Sequence, residues 1–254
     1  MSSRRTSEGL GSEEAIWQDV EFGAYRADLP LWAELATERD GAVVELGAGS
    51  GRVALHLAQR GVEVIAIERD AGMIEALQAR AQGWPVLPLH GDLARPEGAW
   101  LDAASPAALA IAPLHVIQQL EPGDRPGLLS ALAGALAGGT LLAVALVDES
   151  SLAPGGVEDG PEPPDMREVD GFLYSSEALW VQVGDDLLTV RRLRERVSPS
   201  GEIERGVHDD LLARLTPDRL EQEGSEAGLR AAGRRAITSG RTEADSTAVI
   251  LEVR

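Results

Sequence analysis

Val43-Val-Glu45-Leu-Gly47-Ala-Gly49-Ser-Gly51 sets one carboxylate ahead of three glycines at alternate positions, a combination suited to holding a ligand. Glycines at a strand-to-helix turn let the backbone bend sharply and let a ligand approach with no Cβ in the way, while the helix start offers unpaired N–H groups. Such turns serve nucleotides, flavins and nicotinamides alike. Three details narrow the ligand. The third glycine is Gly51, one place early for the dinucleotide spacing Gly-x-Gly-x-x-Gly, in which Arg52 would be glycine. Glu45 ends the strand facing the ligand site, where it would repel a pyrophosphate and welcome an ammonium. Glu68 ends the next apolar run and can take both hydroxyls of a ribose, and Gly91-Asp92 supplies an acceptor suited to an adenine amino group. The set describes an adenosine with a cationic tail.

These residues need a frame, and the apolar pattern supplies one. Val43–Leu46, Val62–Ile67, Val86–Leu89, Leu109–Ala112 and Thr140–Val147 read as strands, with helices over Arg52–Arg60, Ala71–Ala81 and Gly127–Ala137. Alternation of this kind predicts right-handed crossovers and a mostly parallel sheet covered on both faces. Pro88 cannot donate to a ladder, which predicts an edge position for the third strand. Gly155 to Gly171 holds six acids, one arginine and four glycines, and reads as an exposed loop, either inert or a lid. Ala178–Val183, Leu187–Val197 and Ile203–Leu215 then read as antiparallel strands, the last two joined by Ser198-Pro-Ser-Gly201. Thr216-Pro217-Asp218 opens a helix that Gly228 ends, and Ala231–Ile237 and Thr247–Val253 supply two closing strands. The expected organisation is one domain over 1–254: N-terminal lid helices (1–40), a cofactor core (41–150), an acidic loop (151–171), an antiparallel insertion (172–215), and a C-terminal helix with closing strands (216–254).

On the order and spacing of these motifs the chain resembles the Rossmann-like, or class I, S-adenosylmethionine-dependent methyltransferases, over about Val43 to Val147. The resemblance implies a doubly wound, mostly parallel seven-stranded sheet with an antiparallel last strand, here corresponding to Thr247–Val253, beside the small antiparallel insertion. It implies S-adenosylmethionine as cofactor and S-adenosylhomocysteine as product. It also assigns cofactor contacts to Glu45, Gly47, Ala48, Gly49, Gly51, Glu68, Arg69, Met73, Asp92, Leu93 and Pro113: backbone near Gly47 to the methionine amino group, Met73 over an adenine face, a Leu93 backbone donor to the ring. The Trp17–Leu35 segment, with Phe22, Tyr25 and Trp32, looks like the lid helix of small-molecule members, and equally like a helix packed by aromatics.

Methyl transfer is an in-line attack on a sulfonium methyl, so holding the nucleophile at near-attack distance can supply on the order of 7 to 11 kcal/mol, and a base is needed only if the nucleophile must lose a proton early. His115, after the fourth strand, is the best-placed base or substrate contact, weighed against a histidine that merely hydrogen-bonds cofactor or backbone. Tyr25 is the other catalytic candidate. His56 reads as structural and His90 as either; His208, with Tyr174, Trp180 and Arg191, lines either an acceptor pocket or a half-buried sheet face. The adjacent His208-Asp209-Asp210 suggests metal only weakly, because neighbouring strand residues point to opposite faces, and no metal is expected.

Composition excludes other chemistry. The 254 residues contain no cysteine, lysine or asparagine, so all 23 basic residues are arginine. A lysine-dependent phosphate loop, a pyridoxal Schiff base, thiolate metal sites and cysteine nucleophiles are absent. The net charge of −19 opposes nucleic acid, and Ala112-Pro113-Leu114-His115 lacks the Asn/Asp-Pro-Pro-aromatic motif of base methyltransferases. No Gly-x-Ser-x-Gly elbow supports a hydrolase. With no leader pattern and no apolar stretch of about 20 residues, a cytoplasmic enzyme with a small-molecule acceptor and no membrane partner is expected, the oligomeric state open. Alternatives are a nicotinamide-dependent oxidoreductase, a non-catalytic cofactor-binding protein, and aminopropyl transfer.

Overall fold

A computed structural model describes residues 12–152, 164–239 and 244–254. The apolar runs pair into a seven-stranded sheet built from β1 (Val43–Leu46), β2 (Val64–Glu68), β3 (Val86–His90), β4 (Leu109–Ala112), β5 (Leu141–Val147), β10 (Leu229–Ile237) and β11 (Ser246–Val253), in the order β10-β11-β5-β4-β1-β2-β3. β1 pairs in parallel with both β2 and β4, and β11 runs antiparallel to β5 and β10. β1, β4 and β5 are buried at every position, as strands covered on both faces must be. β3 lies at the edge, and Pro88 sits in it opposite Ala66.

Helices α2 (Leu29–Thr37), α3 (Arg52–Ala58) and α4 (Ala71–Arg80) share one apolar layer, where Trp32, Leu57 and Leu77 are fully buried, and α5 (Ala99–Ala104), α6 (Arg125–Ala135) and α7 (Pro217–Glu226) contribute Trp100, Leu128 and Leu220 to the other. Asp70 caps α4 by accepting from the Met73 N–H, and Thr216 caps α7 by accepting from that of Arg219. A buried ion pair, Arg125 to Glu223 at 3.1 Å, ties α6 to α7.

The second sheet is antiparallel, in the order β6-β7-β8-β9, from β6 (Asp165–Val169), β7 (Phe172–Val183), β8 (Leu187–Val197) and β9 (Ile203–Ala213). The acidic stretch read as a loop is therefore a strand over Asp165–Val169, turning at Asp170-Gly171 into β7. Only Val169 of β6 is buried, so its outward charges carried no apolar alternation. The rest of that stretch, through residue 163, lies outside the described residues. A register shift between Ala178 and Trp180 reverses the faces of β7 beyond it. Trp180 then lies against Arg191 at 4.7 Å, on the face opposite His208, so the anticipated Trp180–Arg191–His208 grouping does not form.

The Trp17–Leu35 segment is two helices, α1 (Glu13–Phe22) and α2, interrupted at Gly23 to Asp28. α2 packs on α3, and its Trp32 Nε1 donates to buried Asp28. Helix α1 instead stands between the two sheets, with the Trp17 ring edge-on to Tyr174 at 5.1 Å. Among the described residues no helix is long and apolar enough to cross a membrane.

Candidate active site

Leaving β1, the chain turns back through Gly47 and Gly49, both in the left-handed region at φ +68° and +56°. A Cβ on Gly47 would stand 2.3 Å from the Val116 side chain, so both backbone form and space require glycine there. The turn opens at the C-terminal ends of β1 and β4, where the chain leaves β1 toward β2 on one side and returns to β4 on the other. Such a switch point forms a crevice in open α/β sheets. The crevice holds a cavity of about 430 Å³ lined by Glu45, Gly47, Ala48, Arg52, Glu68, Arg69, Met73 and Pro113 from the core, and by α1 and sheet residues opposite. A smaller cavity of about 60 Å³ shares Gly47, Glu68 and Arg69 and adds Gly91, Asp92 and Leu93. Nine of the eleven residues assigned to the cofactor thus line two joined spaces. Gly49 and Gly51 lie behind the lining and shape the turn.

Glu45 is the electrostatic anomaly of the site. It is buried, and among the described residues its Oε2 has no hydrogen-bond partner. Burial pushes its pKa up to about 8, with Arg52 pulling it back and Asp28 and Glu68 adding to the rise. Arg52 is engaged elsewhere, donating to both carboxylate oxygens of Asp28 at 2.6 Å. Glu68 is held differently: its Oε2 accepts from the Gly49 N–H at 2.8 Å, and its Oε1 from the Arg69 and Asp70 N–H groups at 2.7 and 2.9 Å. A carboxylate offers about four lone-pair sites, so most of Glu68's capacity goes to fixing its own orientation. Asp92 accepts from the Ala94 N–H at 3.0 Å.

Two amides of the glycine turn, ahead of the helix start at Arg52, are taken. Gly49 N–H goes to Glu68, and Ser50 N–H goes to Gln18 Oε1 of α1 at 2.7 Å. Ser50 Oγ donates to Asp19, whose carboxylate also accepts two bonds from Arg80 of α4. On its other side α1 places Glu21 against the second sheet, where the buried carboxylate accepts from Arg194 at 2.7 Å and from Ser176 at 2.8 Å. Gln18, Asp19 and Glu21 all line the larger cavity and were missed by sequence reasoning. Their partners lie 31 to 173 positions away, and the one local signal was a helix bearing polar residues on the face it docks.

The two catalytic candidates sit elsewhere than the cavity wall. His115 has φ +61°, and its Nε2 lies 2.8 Å from Ser246 Oγ on β11. Desolvation pulls its pKa down to about 4, which leaves a weak base. The neighbouring Pro113, Leu114 and Val116 line the cavity and His115 does not. Tyr25 is buried, its hydroxyl 3.1 Å from Ser239 Oγ and its ring 5.2 Å from the Arg52 guanidinium carbon. Two other residues face the cavity: His208 and Asp210 of β9, two positions apart on one face.

Residues 43–139 match the family model described as methyltransferase domain. Solved structures agree over nearly the whole chain. The SAM-bound amino pentose methyltransferase CalS10 of Micromonospora echinaspora superposes with a TM-score of 0.65 at 17% identity, over 96% of this chain and 99% of that one. The sugar N-methyltransferase KedS8 of Streptoalloteichus sp. ATCC 53650 gives 0.68 at 14% identity, over 98% and 97%. The glycopeptide N-methyltransferase MtfA in complex with S-adenosylmethionine gives 0.62 at 20%, over 92% and 89%. No curated protein matches the chain in sequence. The match to a methyltransferase-domain model covers residues 43–139, and the chain as a whole has the fold of the Rossmann-like S-adenosylmethionine-dependent methyltransferases.

Proposed function

We propose that the protein moves the methyl group of S-adenosylmethionine to an amino nitrogen of a small molecule, with sheet β6–β9 and α1 as the acceptor-side wall of a single working unit. The observation that carries the cofactor half is Glu45, a buried carboxylate with an unpartnered oxygen at the switch point of the sheet. A pyrophosphate would be repelled there, whereas the ammonium of a methionine moiety supplies the missing partner. The residues fit that cofactor: Glu68 is preset for a ribose, Met73 offers a polarisable face to a base, and Asp92 with the Leu93 amide borders the smaller cavity. When bound, the cofactor supplies an electrophilic methyl carbon on a positively charged sulfur. The chain's own part is to fix the two reactants and exclude water, through the α1 contacts that join Ser50 to the second sheet.

Two considerations support an amine acceptor. The acceptor-side wall carries Glu14, Glu21 and Asp210 against one arginine, Arg194, which pairs with Glu21, and the net negative wall favours a cation over a phosphate or carboxylate. Three proteins of the same fold are an amino pentose, a sugar N- and a glycopeptide N-methyltransferase. The test has two arms. Calorimetry with S-adenosylhomocysteine is expected to show binding that Glu68→Ala weakens at least tenfold, and no binding to the intact protein refutes the cofactor reading. Mass spectrometry of products from S-adenosylmethionine and a panel of amino and hydroxy sugars is expected to show a gain of one methyl group on amines only; methylation confined to hydroxyls refutes the amine.

A further inference from the structure

We infer that His208, oriented by Asp210, is the base that takes the proton from the acceptor, a reading that rests on the methyltransferase function above. The pair comes from strand geometry. His208 and Asp210 are two residues apart on β9, so both point to the face that looks into the larger cavity, while Asp209 between them points outward and pairs with Arg191 at 2.5 Å. The His208 Nε2 lies 3.3 Å from Asp210 Oδ1. The other carboxylate oxygen lies 3.4 Å from Nε of Arg192, the residue opposite His208 on β8. Among the described residues neither ring nitrogen makes a hydrogen bond; Asp210 stands beside Nε2 as a charge, and Nδ1 has no such neighbour. A carboxylate against one imidazole nitrogen favours the tautomer with the proton on that side and leaves the other lone pair to accept one. The pair lines the same cavity as Glu45, Gly47 and Pro113, from the opposite wall. His115, the histidine anticipated for this task, spends its Nε2 on Ser246.

The acceptor nitrogen forms its bond to the methyl carbon as that carbon's bond to sulfur breaks, the electron pair going to sulfur to leave a neutral thioether. The proton shed by the nitrogen passes to His208 Nδ1, and Asp210 stabilises the imidazolium until solvent removes it. Arg192 limits the negative charge that Asp210 presents to the pair.

The test uses the intact chain with histidine ring nitrogens labelled with ¹⁵N, saturated either with S-adenosylhomocysteine, which is neutral at sulfur, or with sinefungin, which carries an ammonium at the reacting position. Other charges facing the ring are Asp210 on its own strand, Arg192 and Arg194 of β8, Asp165 of β6, and Glu14 and Glu21 of α1. They are common to both complexes. The expected result is a neutral ring protonated at Nε2 and a titration midpoint lower with sinefungin by about half a unit or more, because a like charge nearby disfavours the imidazolium. Asp210→Asn should lower the midpoint in both complexes, and His208→Gln should keep S-adenosylhomocysteine affinity within about twofold. Equal midpoints in the two complexes, or a proton fixed on Nδ1, overturn the assignment. If calorimetry shows that neither ligand binds, the cofactor reading itself has failed; if both bind and the ring does not respond, only the base has.

Discussion

A buried carboxylate with a pKa of about 8 makes cofactor binding a proton-releasing event. At pH 7 about nine in ten molecules of the free protein would hold Glu45 protonated, by the ordinary titration relation. An ammonium delivered beside it favours the carboxylate, so binding should expel close to one proton per site, about 0.8 if the bound pKa falls to about 6 and about 0.9 if it falls to about 5. The same coupling weakens affinity about tenfold for each unit of pH below 8. The assay is titration calorimetry with S-adenosylhomocysteine in buffers of different ionisation enthalpy at pH 7, where the slope of observed heat against buffer heat counts protons. Glu45→Gln should bring the slope near zero and flatten affinity between pH 6 and 7.5. A wild-type slope of zero, or an equal slope in Glu45→Gln, would show that Glu45 releases no proton on binding. The sign for folding runs oppositely. An acid whose folded pKa is raised from 4.5 to about 8 contributes stability below pH 4.5 that is lost as pH rises through 8. The whole effect is roughly 4 to 5 kcal/mol as an upper bound, so Glu45→Gln should stabilise the ligand-free protein at pH 8 while weakening its ligand.

Other predictions follow from the same geometry. His115 is a base whose folded pKa of about 4 lies below its usual 6.5, so its share of stability is present above pH 6.5 and lost as pH falls toward 4. Between pH 7 and pH 5 that share is about 2 kcal/mol. His115→Asn, which tolerates the left-handed backbone, should shrink the fall in urea midpoint over that range and leave methyl transfer within about threefold. Loss of transfer by a factor of 100 or more would return His115 to the chemistry. Asp19→Ala removes the acceptor shared by Ser50, Arg80 and Arg167, and should lower unfolding free energy by about 2 kcal/mol. Proteolysis should then cut first near α1; an unchanged cleavage pattern would show that α1 is held by its apolar face alone.

The lining of the cavity was legible where it depends on neighbours in sequence and hidden where it depends on partners across the fold. Glu45 and Gly47 declare themselves because a carboxylate, a left-handed turn and a helix start must follow one another within nine residues. Glu68 and Asp92 follow from the same logic, Glu68 ending β2 and Asp92 standing two residues past the end of β3. Strand β6 was illegible because its edge position and exposed face let Asp165, Arg167 and Glu168 stand where apolar residues would signal a strand. The seat of α1 was illegible because Gln18 and Asp19 bond a turn more than 30 positions away. His208 falls between the two cases. Its sequence shows a histidine followed by two acids, and strand periodicity says that the second acid, not the first, shares its face. What periodicity cannot say is which face meets the cavity. That was decided by α1, whose Glu21 draws Arg194 and Ser176, and with them the whole inner face of the sheet, toward the glycine turn. The Glu21–Arg194 pair therefore also sets which side of the sheet, and with it His208, faces the cavity. On the role proposed for His208, disrupting Glu21 should impair methyl transfer through that residue as well as through a loosened α1.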